Sequence, residues 1–96
     1  GGVVLFNRKI YWKNGGANEN FKGLGYEDSE IFERFKKFET KFGRVSGPLY
    51  HLTHKRADTS YDHNPHIIQN RDECLRIQSL SPAELNKEIS NWYWVR

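Results

Sequence analysis

The chain has 96 residues, 15% aromatic and 28% charged, with 15 Lys and Arg against 12 Asp and Glu for a formal net charge of +3. That length allows one domain at most, and the aromatic content without any low-complexity run excludes a disordered chain. The cations lie scattered among carboxylates instead of forming a stripe, which argues against nucleic acid as a partner, and no apolar run approaches the roughly 20 residues that span a bilayer.

In chain order, residues 3–6 form a short β-branched apolar run that reads as a buried strand. Asn7 caps a short helix carrying Ile10, Tyr11 and Trp12, which Gly15 and Gly16 stop. After a loop, residues 28–42 place Ile31, Phe32, Phe35, Phe38 and Phe42 on one apolar stripe. Glu30, Glu33, Arg34, Lys36, Lys37 and Lys41 oppose it, and Gly43 closes the helix. Residues 44–54 read as two short strands around Ser46-Gly47-Pro48, and residues 55–63 as a polar loop.

Asn64 and Pro65 make a cap and first turn for a helix carrying Ile67, Ile68, Cys74, Leu75 and Ile77, running to about Leu80. Ser81, Pro82 and Glu84 repeat the device as a capping box. The last helix carries Leu85, Ile89 and Trp92 and ends in "NWYWVR", an aromatic tail that docks on the core or covers another surface. The fold class expected from these elements is α/β, with short strands and about four helices.

A single cysteine, Cys74, forms no internal disulfide, so a reducing, cytoplasmic location is expected. The start lacks the order of a secretory signal. With no methionine and an opening directly on a strand-like run, the chain is expected to be a piece of a longer protein.

Two groups carry candidate chemistry. Glu27 and Asp28 sit where "GLGY" runs into a helix. Acidic residues there accept hydrogen bonds from unpaired N–H groups, and a carboxylate beside a glycine-rich approach can instead serve as a general base. His51 and His54 are three apart, a spacing that puts them on opposite faces of a regular strand, so joint binding requires a bend near Thr53. His63 and His66 flank a helix start and read as structural.

Three ordered blocks have a known counterpart: Gly1-Gly2; Gly15-Gly16-Ala17-Asn18-Glu19 with Phe21; and Leu24-Gly25-Tyr26-Glu27-Asp28. With "GPLYHLTHKRAD" they resemble the carboxyl-terminal catalytic region of galactosyltransferase-type glycosyltransferases of the GT-A fold, over roughly residues 1–76. The resemblance implies a catalytic and acceptor-side region over residues 1–80, followed by a helix and tail over residues 81–96.

It further implies that Asp28 takes the proton from an acceptor sugar hydroxyl, with Glu27 holding an acceptor hydroxyl or orienting the loop. Gly2, Gly25, Tyr26 and Arg56 would contact substrate. His51, alone or with His54, would hold manganese or magnesium against the donor diphosphate. The implied reaction moves galactose or N-acetylgalactosamine from a UDP-sugar to a carbohydrate acceptor. The nucleotide-binding portion that precedes this region in the family, with its Asp-x-Asp metal motif, is missing, and Asp58 to Asp62 do not supply it. The isolated chain is therefore expected to be inactive. Leu24 replaces the family's tryptophan and Ser29 an acidic residue, which leaves the acceptor unread. The rival reading is a non-catalytic carbohydrate- or protein-binding module.

Overall fold

A computed structural model describes residues 2–55 and 63–95. Four helices follow one another: α1 (Arg8–Lys13), α2 (Glu27–Lys37), α3 (Ile67–Ser79) and α4 (Pro82–Ser90). Among the described residues no strand forms, so the chain is helical and the α/β expectation is overturned. Residues 3–6 and 44–54 are irregular and lack a hydrogen-bonded neighbour, which a strand requires in addition to β-branched side chains. Their apolar side chains face out: Leu5 is 89% exposed and Val45 94%.

Side-chain caps start α1 and α4, while α2 and α3 begin without one. The Asn7 carboxamide oxygen accepts the N–H groups of Lys9 and Ile10 at 3.0 and 3.2 Å. Ser81 and Glu84 exchange bonds in a full capping box, with Pro82 in the first turn. α3 begins three residues later than Asn64, at Ile67. The glycines after α1 end it in the left-handed region, where Gly15 has φ +93° and packs so closely that an added Cβ would meet Arg34 and Ile89 at 3.1 Å.

α2 stops at Lys37, short of the expected Phe42, because Glu39 turns left-handed (φ +56°) and Thr40 N–H closes back on the Phe35 carbonyl. Asn14 then donates to the Thr40 hydroxyl at 2.8 Å, tying the departing chain to the end of α1. Of the expected apolar stripe only Phe35 is buried, while Phe32 and Phe42 meet ring to ring at the surface.

The core lies between α3, α4 and the tail, where Ile77, Leu85, Ile89 and Trp92 pack with Phe38, Leu80, Trp94 and Val95 around them. Each fully buried aliphatic side chain contributes about 1.5–3 kcal/mol. The aromatic tail thus docks on the chain's own core. Lys37 reaches from α2 to the carbonyls of Ile77, Gln78 and Leu80, neutralising the carbonyl-rich end of α3.

The polar face expected on α2 is also corrected. Glu30 and Arg34 are sealed from solvent at 1% and 0% exposure. Their ion pair closes at 2.6 Å, and the guanidinium also donates to the carbonyls of Asn14 and Gly16 in the turn after α1. The guanidinium carbon lies 5.2 Å from the centre of the Trp92 ring. Burial is tolerable because all three guanidinium nitrogens donate and both Glu30 oxygens accept.

Candidate functional site

The approach to α2 is a loop whose own side chains add little to the core, since Lys22, Gly23 and Leu24 are exposed. Buried amides from beyond residue 63 hold it. Asn70, on α3, donates to the carbonyls of Lys22 at 2.9 Å and Gly25 at 3.1 Å and accepts the Lys22 N–H at 3.1 Å. Asn64 donates to the carbonyls of Lys22 at 2.7 Å and Leu24 at 3.1 Å. Its oxygen accepts the His66 N–H, so the residue expected only to cap a helix also clamps this loop.

The preceding stretch is tethered the same way. Asn18 and Asn20 donate to one oxygen of Glu73 at 3.0 and 3.1 Å, and Arg76 pairs with Glu73 and with Glu88. Partial burial works against ionisation of Glu73, but the hydrogen bonds from Arg76, Asn18 and Asn20 outweigh it and hold its carboxyl down at about 2.

Tyr26 makes the turn into α2 with φ +69°, a left-handed conformation uncommon for a residue with a Cβ. The two carboxylates then part company. Glu27 folds back and accepts the Gly25 N–H at 2.5 Å, so it stabilises the turn. Asp28 stays exposed in the first turn of α2, and among the described residues its carboxylate has no hydrogen-bond or ion-pair partner.

His51 and His54 come together despite their spacing, with Nε2 atoms 3.2 Å apart, because the chain there is not a strand. His54 Nδ1 lies 2.9 Å from the Lys55 carbonyl. A carbonyl only accepts, so Nδ1 carries the proton and Nε2 keeps a lone pair directed at His51. Two imidazole ligands about 2.1 Å from one ion stand roughly 3.0–3.4 Å apart, so the spacing suits two places in a coordination sphere once His51 moves its proton from Nε2 to Nδ1. Among the described residues no group of three or more His, Cys, Asp or Glu forms a fuller site.

No hydrogen bond joins the histidine pair to the Glu27–Asp28 turn among the described residues. Gly2 is exposed, Gly25 is buried within the clamped loop, and Arg56 lies outside the described residues, as do Asp58 to Asp62. His66 bonds Gln69 at 2.9 Å, a local structural contact. The asparagines were not foreseen as site residues. The glycines at 23 and 25 mark a turn in the sequence, but nothing local to it names the residues that hold its backbone.

No helix among the described residues is long and apolar enough to cross a membrane. A family model described as the N-terminal domain of galactosyltransferase matches residues 1–57, more than half of the chain. The match takes in α1, the clamped loop, Glu27, Asp28 and the histidine pair. That description is of an N-terminal domain, whereas the sequence blocks resemble a carboxyl-terminal region. No curated protein and no solved structure matches the chain.

Proposed function

The chain belongs to the galactosyltransferase family, and we propose that it forms the acceptor-side, base-bearing part of a hexosyltransferase. The enzyme moves galactose or N-acetylgalactosamine from a UDP-sugar to a carbohydrate hydroxyl, with a nucleotide-binding portion outside this chain holding the donor. Asp28 accepts the proton of the attacking hydroxyl as that oxygen bonds to the anomeric carbon and the UDP leaves. An alcohol is a poor nucleophile until a carboxylate within hydrogen-bond reach takes its proton.

The observation that carries this reading is the divergence of adjacent carboxylates. Glu27 is committed to the Gly25 N–H, while Asp28 is exposed and without a protein partner among the described residues, as a base awaiting a substrate must be. His51 and His54 would hold manganese or magnesium through their Nε2 atoms, with His54 oriented by the Lys55 carbonyl. Such an ion, when bound, neutralises charge developing on the departing diphosphate.

The test is Asp28→Asn in the intact enzyme, assayed with UDP-galactose and UDP-N-acetylgalactosamine. A fall in kcat of about 10²–10⁴-fold is expected. Activity near that of the parent would sink the base assignment and favour a binding module in which both carboxylates only stabilise the helix.

A further inference from the structure

We propose that Asn64 and Asn70 are positioning residues that set the place of Asp28 by fixing the backbone before it; this rests on Asp28 being the base. Asn70 is 1% exposed and Asn64 4%, and a buried carboxamide is costly unless its hydrogen bonds are made. Here both amides serve one short stretch, residues 22–25, through four backbone groups. They cover the carbonyls of Lys22, Leu24 and Gly25 and the N–H of Lys22. What they hold is backbone, since the loop's side chains from Lys22 to Leu24 are exposed.

The restraint passes along a short path. Asn70 holds the Gly25 carbonyl, the Gly25 N–H is held by Glu27, and Glu27 is bonded directly to Asp28. Gly23 shows how tight the clamp is: at φ +66°, a Cβ there would lie 2.7 Å from the Asn64 amide nitrogen. A carboxamide suits the task because it donates twice and accepts at one planar group, which neither a carboxylate nor a hydroxyl does.

Asn70→Asp replaces the donating N–H groups with an oxygen facing two carbonyls. Gly23→Ala presses on Asn64 from the loop side and leaves α3 untouched. In the intact enzyme with UDP-galactose and UDP-N-acetylgalactosamine, each is expected to lower kcat about 100-fold while the donor KM stays within about twofold, as for a misplaced catalytic group. The deciding readout is the cycle with Asp28→Asn. If the asparagine acts through Asp28, Asn70→Asp costs less than about threefold once Asp28 is gone. Multiplicative losses would show a general structural role and overturn the inference, as would near-parental kcat in both variants beside an inactive Asp28→Asn enzyme. A fully active Asp28→Asn enzyme removes the base reading first and this inference with it, a distinct outcome. Amide exchange at Ile77 and Leu85 reports whether each variant keeps its core, and Gly23→Ala carries the test if Asn70→Asp does not fold.

Discussion

Arg34 and Glu30 meet at 2.6 Å, one helical turn apart on α2, and neither side chain reaches solvent. Replacing Arg34 with Met strands the Glu30 carboxylate and leaves the Asn14 and Gly16 carbonyls without their donor. The expected cost is about 3–5 kcal/mol, a large share of the roughly 5–15 kcal/mol that holds most domains together. Urea denaturation followed by tryptophan fluorescence measures it. Glu30→Leu combined with Arg34→Met should cost well under the sum of the single changes, and additive losses would show that the two do not act as a pair.

Lys37 serves the end of α3 from outside that helix. Lys37→Met removes a cation from the carbonyls of Ile77, Gln78 and Leu80, with an expected loss of about 1.5–3 kcal/mol by thermal or urea unfolding. An unchanged midpoint would mean that water replaces the ammonium at no net loss.

Acid should weaken the tether around Glu73. Its folded-state value of about 2 lies below the ordinary 4.5, so the folded state binds the proton less readily than the unfolded chain. The resulting stability is complete above about pH 4.5 and is lost as pH falls through that window toward 2. Glu88, bonded to Arg76, is lowered in the same direction. Glu73→Gln should flatten this part of the curve of stability against pH, and an equally steep fall in that variant would place the acid sensitivity elsewhere.

Manganese added to isotopically labelled chain should broaden the signals of His51 and His54 selectively, with magnesium as the diamagnetic control. His54→Ala should weaken the effect by at least about tenfold, since loss of even outer-shell partners costs that much. Uniform broadening, or no difference between parent and variant, would overturn the proposal that the histidine pair holds a metal.

The helices were legible where caps announced them. Asn7 and the Ser81, Pro82, Glu84 group stand where side chain and backbone settle the geometry locally. The end of α2 was not, because Phe38 and Phe42 continue the apolar spacing while the left-handed Glu39 breaks the helix. Residues 3–6 and 44–54 have strand composition, but composition cannot supply the neighbouring strand. Glu30 and Arg34 were assigned to water by residue type, and only the glycine turn after α1 creates the carbonyls that draw Arg34 inward.

The sequence singled out Glu27 and Asp28 together but could not separate them, since the difference lies in which carboxylate folds back to Gly25. The histidine spacing likewise argued against convergence on a regular strand, and the rings meet because the backbone there is irregular. Asn64 was read from its proline neighbour as a cap, and its long-range partners 40 and 42 residues earlier leave no local trace.

Those partners have a consequence for where the chain can be divided. The family match ends at residue 57, whereas Asn64, Asn70, Glu73, Ile77, Leu85, Ile89 and Trp92 all lie beyond it. A cut at that boundary would keep every position the family model matches and discard both the amides that hold the loop and the core between α3, α4 and the tail. The stretch that is recognised and the stretch that folds are units of different length.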